Sequence, residues 1–102
     1  MVNSAFNSRV DEILKGSIDL HVHSGPDPYK ERRMDGLETA KHAYESEMGG
    51  FVLKSHEFST VHLAQILQQM YPRLKVFGSI TLNSQVGGLN PSAVEAAAII
   101  GA

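Results

Sequence analysis

Two histidines near the start of the chain have the spacing of metal ligands. His21 and His23 end the segment Ser17 to His23, in which apolar and polar residues alternate. Side chains two positions apart on a strand point the same way, so both imidazoles should share one face, with Asp19 one step below as a hydrogen-bond partner. Two imidazole nitrogens so placed can bind one divalent ion at ~2.1 Å. The spacing therefore predicts that His21 and His23 bind a metal. A strand with one solvated face would also alternate, but it would favour Thr, Lys and Glu over histidine.

A second pair of polar residues ends the next apolar segment, Phe51 to Ser55. Lys54 and His56 are again two positions apart. In a parallel α/β fold the carboxyl ends of the strands hold the active site, so this pair should meet the first one there. We expect His56 to be a third metal ligand and Lys54 to be catalytic. The alternative for Lys54 is an ion pair with a carboxylate such as Asp19.

The loop after the histidine pair holds a further candidate. Asp27 lies between two prolines, and it is a candidate catalytic base or ligand, although a turn aspartate is the simpler interpretation. The basic stretch Lys30 to Arg33 is interpreted as a solvated loop, with binding of an anionic substrate as the alternative. His42 and His62 fall on helices, which form the outer layer of such a fold, so we expect both at the surface.

The elements that position these residues alternate along the chain. Periodicity and capping residues predict a helix over 4–15, a strand over 17–23, a helix capped by Asp35 with Glu38, a strand over 51–55, a helix begun by Ser59 or Thr60, a strand over 74–82 and a helix begun by Asn90-Pro91. Strands alternating with helices every ~28 residues imply parallel pairing and an α/β fold. A doubly wound sheet and a barrel begin identically. We predict that residues 1–102 form three parallel βα units, the start of a (β/α)8 TIM-type barrel, preceded by an N-terminal helix.

Helical and strand periodicity also predict which residues face inward. For the helix after Asp35 the expected inner residues are Leu37, Ala40, Tyr44 and Met48. For the next helix they are Leu63, Ile66, Leu67 and Met70. On the third strand the polar residues expected on one face are Ser79, Thr81 and Asn83. Three polar columns should therefore converge at one end of the sheet.

Composition restricts the classes of function. The chain is 42% hydrophobic with a formal net charge of -2, which suits a globular protein and lacks the basic excess typical of nucleic-acid binding. The absence of cysteine excludes thiolate zinc sites and cysteine nucleophiles. No segment approaches the ~18 consecutive apolar residues of a membrane span. We expect a cytoplasmic protein that acts on a small-molecule substrate, without nucleic-acid or membrane partners.

The last residues, 99–102, end a helix where a fourth strand would begin. Three parallel strands alone would leave sheet edges unpaired, and complete proteins usually cover such edges. We therefore expect the chain to be one piece of a larger barrel or of a homo-oligomer.

Two segments resemble known metal-dependent hydrolases. Asp19-Leu20-His21-Val22-His23-Ser24 resembles the opening motif of the amidohydrolase superfamily and of the polymerase-and-histidinol-phosphatase (PHP) type phosphoesterases. The segment from Gly50 to Glu57 resembles the second PHP motif, in which a strand-end histidine binds metal. The run from His21 to Asp27 is similar to an uncharacterised family of amidohydrolase-like hydrolases. The resemblance spans nearly the whole chain but only about the first third of such a protein.

The resemblance implies a ligand set and an activity. His21 and His23 would bind the more buried metal and His56 a neighbouring one. The PHP pattern has another histidine where this chain has Pro28-Tyr29-Lys30, and a glutamate where it has Asn83. The divalent ions, zinc first and manganese or iron as alternatives, would activate water for hydrolysis. Lys54 would be a carboxylated bridging ligand or a clamp for a substrate anion.

Two alternatives to hydrolysis stay open. Related barrels with a similar histidine pair carry out non-hydrolytic decarboxylation. The chain could also be a catalytically silent α/β fragment that binds metal weakly. Because later strands of the barrel would supply further ligands, we expect the isolated 102-residue chain to be inactive.

Overall fold

Helices and strands alternate along the chain in the predicted order. The structure is a computed structural model that describes residues 4–102, with side chains described from residue 8 onward. The elements are α1 (Ser4–Leu14), β1 (Ile18–His23), α2 (Gly36–Glu45), β2 (Gly50–Lys54), α3 (Val61–Met70), β3 (Lys75–Phe77) and α4 (Pro91–Ile100), with a 3-10 turn (Ser84–Val86) before α4. Within residues 4–102, no helix is long and apolar enough to cross a bilayer.

The three strands form one parallel sheet in the order β1-β2-β3. Neighbours in the sheet are consecutive in the chain, and each connection contains a helix, as expected for βαβ units. This arrangement confirms the α/β prediction. The sheet of the described residues is open, so the particular architecture of a barrel is considered below as a proposal.

The core lies between the sheet and helices α2 and α3. Its buried members are Ala40, Ala43, Phe51, Leu53, Ala64, Leu67, Leu74 and Val76. The opposite face of the sheet is less well covered, since Ile18 and Phe77 are both more than 40% exposed. The helices therefore cover one face of the sheet, and the other remains open to solvent or to a partner.

Local signals gave the helix starts correctly. Asp35 accepts a hydrogen bond from the Glu38 amide at 2.8 Å, and Glu38 accepts one from the Asp35 amide at 3.3 Å, which completes a capping box. Asn90 caps α4 by accepting a bond from the Ala93 amide, with Pro91 at the first helical position. Such caps depend on residues within one turn, so the sequence alone determines them.

The predicted inner face of α2 was wrong in part. The buried residues are Gly36, Thr39, Ala40 and Ala43, whereas Leu37 and Tyr44 are exposed. A Cβ atom at Gly36 would lie 2.8 Å from the Cδ2 atom of Leu63, so α2 and α3 approach each other closely at this point. Small residues permit that approach, and the larger side chains turn outward.

The inner face of α3 is also shifted from the prediction. Leu67 is fully buried and Leu63 partly buried, as expected, but Ile66 and Met70 are about half exposed. The other buried residues of α3 are Val61 and Ala64, which lie in its first turn.

Strand β3 is shorter than predicted, because it ends at Phe77 instead of continuing to Leu82. The backbone carbonyl of Leu53 accepts hydrogen bonds from the hydroxyls of Thr60 at 2.6 Å and Ser79 at 2.7 Å. These side-chain bonds occupy the position where the β2–β3 ladder would continue. Strand parity therefore does not apply beyond Phe77, and Ser79 has a structural role.

Candidate functional site

A break in register within β1 determines which side chains share a face. Asp19 pairs with Phe51 and Val22 pairs with Leu53, so three steps along β1 correspond to two along β2. One extra residue in a strand is a β-bulge. Phe51 and Leu53 belong to the core beneath the helices, and their partners Asp19 and Val22 therefore lie on that same face.

The bulge overturns the expectation that Asp19 lies below the two histidines. Asp19 lines a small cavity together with Thr39 and Met48, on the side of the sheet covered by α2. Its carboxylate accepts a hydrogen bond from the backbone amide of His21 at 3.0 Å. Asp19 therefore orders the backbone of β1, and within the described residues its carboxylate forms no hydrogen bond with an imidazole ring.

Three imidazole rings form a contiguous group at the carboxyl ends of β1 and β2. The Nε2 atoms of His21 and His23 are 2.9 Å apart, and their ring centroids are 4.9 Å apart. The ring of His56 stacks on that of His23 with centroids 4.7 Å apart and an angle of 18° between the planes. Lys54 is the register partner of His23 on the adjacent strand. The predicted strand-end residues are therefore neighbours.

The facing nitrogens of His21 and His23 have a separation that suits two kinds of bond. A hydrogen bond fits if one ring carries its proton on Nε2 and the other does not. Two cis ligands ~2.1 Å from a shared ion would be ~3.0 Å apart at a right angle and ~3.4 Å apart at a tetrahedral angle. The observed 2.9 Å is close to the first of these values. The pair therefore fits a divalent ion with little movement.

His56 does not point at the same position as the other two rings. Because the two ring planes are nearly parallel, the in-plane nitrogens of His56 and His23 do not converge on one centre. Accordingly, the described part of the chain contains no set of three His, Asp or Glu side chains arranged to hold one ion. A rotation of the His56 side chain would be needed before it could share an ion with His21 and His23.

The surroundings of His23 disfavour its protonated form. Burial is the main cause that lowers the pKa of His23, followed by the positive charge of Arg32 and then by His56, His21 and Lys54. A neutral imidazole is the form that binds a metal ion. Burial and the neighbouring charges therefore keep His23 in the ligand form at lower pH than an unperturbed imidazole.

Asp27 and Arg32 order the loop that follows β1. Asp27 accepts hydrogen bonds from the amides of Tyr29 at 2.9 Å and Lys30 at 3.0 Å, and the Nε and Nη2 atoms of Arg32 lie 3.0 and 2.9 Å from its Oδ2 atom. The Tyr29 amide, with smaller contributions from Arg32 and Lys30, lowers the pKa of Asp27. Its carboxylate therefore holds the loop, and its part in catalysis stays a prediction.

The basic stretch Lys30 to Arg33, predicted to be a solvated loop, is solvated only in part. Arg33 is exposed, but the side chain of Arg32 is only 18% exposed and is fixed by Asp27. Sequence reasoning missed Arg32 as a neighbour of His23. The signal that could have found it is a single aspartate between prolines five residues earlier, because such a carboxylate commonly organises the loop around it.

The remaining predicted residues lie on β2, in the loop after β3, and on helices α2 and α3. Lys54 forms no ion pair with any carboxylate among residues 8–102, so the expected alternative of pairing with Asp19 is not realised. Asn83 donates a hydrogen bond from Nδ2 to the backbone carbonyl of His56 at 2.8 Å, which connects the loop after β3 to the site. His42 and His62 are exposed on α2 and α3, as predicted.

The chain is an α/β protein with parallel βα units and a group of histidines at the carboxyl ends of its first two strands. The chain belongs to a family of unknown function (DUF6282), whose model matches residues 16–102. No curated protein and no solved structure matches the chain. The matched range begins just before β1, so it contains all three strands and every residue of the site.

Proposed function

We propose that the chain provides the first metal-binding strands of a metal-dependent hydrolase of the amidohydrolase or PHP type. The observation that carries this proposal is the pair of Nε2 atoms, from His21 and His23, that face each other at 2.9 Å at the carboxyl end of a parallel strand. Ligands bind at that end of parallel strands in both barrels and open sheets. The finer architecture that we propose is the start of a (β/α)8 barrel.

Each residue of the site has a distinct part in this proposal. His21 and His23 hold a divalent ion, zinc first and manganese or iron as alternatives, and His56 joins them or holds a second ion. A divalent ion at such a site supplies Lewis acidity, which activates water and polarises a scissile carbonyl or phosphoryl group. Lys54 orients the small-molecule substrate, and Asp27 acts as a positioning residue through Arg32.

The metal site is tested by isothermal titration of the metal-free chain with zinc and with manganese. We expect saturable binding, and a loss of about tenfold or more in affinity in the double variant His21→Ala/His23→Ala, because two nitrogen ligands are removed. The matched control is His42→Ala/His62→Ala, which removes two exposed histidines and should bind as the parent does. Equal affinity in all three proteins would rule out the pair as a metal site.

The activity is tested on phosphoester and amide substrates with the metal-loaded protein. We expect the isolated 102-residue chain to turn over neither, and a protein that joins these residues to the remaining strands of such a barrel to hydrolyse one class and lose that activity in the double variant. Release of carbon dioxide from a carboxylated substrate, without hydrolysis, would favour a decarboxylase instead. Turnover by the isolated chain that is lost in the double variant would show that three βα units suffice.

A further inference from the structure

Two cationic side chains reach the histidine group from different elements. Lys54 lies beside His23 in the β1–β2 register and has no carboxylate partner among residues 8–102. Arg32 comes from the loop after β1. Within the described residues, its only ionic partner is Asp27, which neutralises one charge of the group and leaves that of Lys54 unbalanced.

The loop folds back so that Arg32 lies against the end of β1. The amide of Gly25 donates to the Met34 carbonyl at 2.8 Å, and Gly25 forms a bridge with Asp35. A Cβ atom at Gly25 would be 3.6 Å from the Cβ atom of Arg32. Gly25 is two residues beyond His23, so Arg32 is held next to the strand end that carries the imidazoles.

The guanidinium of Arg32 is fixed on one edge only. Its Nε and Nη2 atoms both contact the Oδ2 atom of Asp27, and Nη1 has no hydrogen-bond partner within the described residues. The side chain is also mostly buried, so little conformational entropy remains to be lost when it binds a ligand. An arginine that is fixed on one edge and open on the other can recognise an oxyanion.

We propose that Arg32 and Lys54 together bind an anionic group of the substrate, a carboxylate or a phosphate, beside His23. That this anion belongs to a substrate rests on the proposed hydrolase function, but the binding of the anion itself needs no metal. Arg32 and Lys54 place positive charge beside His23, and none of the described carboxylates other than Asp27 forms an ion pair with either cation. An anionic group would therefore supply the missing counter-charge and place the adjoining bond near His21 and His23.

The test is a titration of the metal-free, isotope-labelled chain with inorganic phosphate and, separately, with acetate at constant ionic strength. Amide and Arg Nε resonances report binding by NMR. We expect saturable shifts at Arg32 and Lys54, and a loss of about tenfold or more in affinity for Arg32→Gln and for Lys54→Gln, because each removes a charge-assisted hydrogen bond. Tighter binding of phosphate would identify a phosphorylated substrate, and tighter binding of acetate a carboxylated one.

The matched control is Arg33→Gln, since Arg33 is an exposed arginine in the same loop. It should bind the anion as the parent does. Circular dichroism checks that Arg32→Gln, which releases Asp27, is still folded, and Lys54→Gln provides an independent variant that breaks no ion pair. Absence of saturable binding, or equal weakening by Arg33→Gln, would overturn the proposal. Anion binding without zinc binding would support this anion site and contradict the proposed hydrolase function. Zinc binding without anion binding would contradict this anion site and leave the hydrolase proposal in place.

Discussion

His23 is the residue that joins the parts of the site. It faces His21 through a ring nitrogen, stacks on His56 through its ring face, and pairs with Lys54 across the sheet. These contacts come from β1, from β2 and from His56 just beyond β2, and none involves a carboxylate. Burial and then the positive charge of Arg32 lower the pKa of His23, so its neutral, metal-binding form is favoured.

The protonation of His23 gives a prediction with a definite sign. Because burial and then Arg32 lower its pKa, the titration of its ring proton by NMR should have a midpoint below 6.5. The unfolded chain then binds this proton more readily, so the contribution of His23 to stability is full above pH 6.5 and falls as the pH drops through the lowered pKa. Arg32→Gln should move the midpoint upward. A midpoint at or above 6.5 in the parent would contradict the burial of His23 and its closeness to Arg32.

At the scale of residues, the sequence predicted the histidine pair with Lys54 and His56 beside it, but not the places of Asp19 and Arg32. Spacing by two is a local property, and the Nε2 atoms of His21 and His23 do meet, although the register shift lies between Asp19 and Val22. The face of Asp19 depends on the register with β2, which no pattern within β1 reveals. The position of Arg32 depends on an ion pair across a loop.

Helices α2 and α3 pack through their small residues. Gly36, Ala40, Ala43 and Ala64 are buried where the helices and sheet approach one another, and Leu67 fills the remaining space. Periodicity selects the larger apolar residues as the inner face, but the distance between elements decides which of them fit. The caps at Asp35 and Asn90 were predictable because they are local, whereas the buried face is set by the neighbouring helix.

Leu67 and Ile66 provide a direct test of the inner face of α3. Leu67 is fully buried and Ile66 is 54% exposed, although the sequence pattern assigns both to the core. We expect Leu67→Ala to lower the free energy of unfolding by about 2–5 kcal/mol, and Ile66→Ala by no more than about 0.5 kcal/mol. Urea unfolding followed by circular dichroism measures both. Similar losses for the two variants would mean that α3 is rotated relative to this structure.

At the scale of the whole molecule, the sheet is covered on one side only. Parallel sheets are almost always buried on both faces, yet Ile18 and Phe77 are exposed on the side away from the helices. In the described residues, β1 and β3 each have one edge without a partner strand. The alternation of strands and helices predicted the α/β class, but a barrel and an open sheet share these first units, so the sequence could not choose between them.

The uncovered face predicts self-association of the isolated chain. Analytical ultracentrifugation should show a mass that rises above one copy as concentration increases, because the apolar face is then buried between chains. Phe77→Ser should shift the chain toward one copy, while Leu89→Ser, which changes an 89% exposed residue outside the sheet, should not. If the parent has the mass of one copy at every concentration, this face is not an association surface.

The β-bulge in β1 has a consequence for how the motif is recognised in other sequences. The register of Val22 and His23 with β2 is set after the bulge, and that of Ile18 and Asp19 before it. Because the extra residue lies between Asp19 and Val22, its removal would restore regular pairing and leave the histidines on the same face. Relatives that have one residue fewer at this point would keep the same pair in the same place. We therefore expect a one-residue deletion to be tolerated just before His21, and a search pattern should be anchored on His21-Val22-His23, with the distance to the preceding aspartate allowed to be one residue shorter.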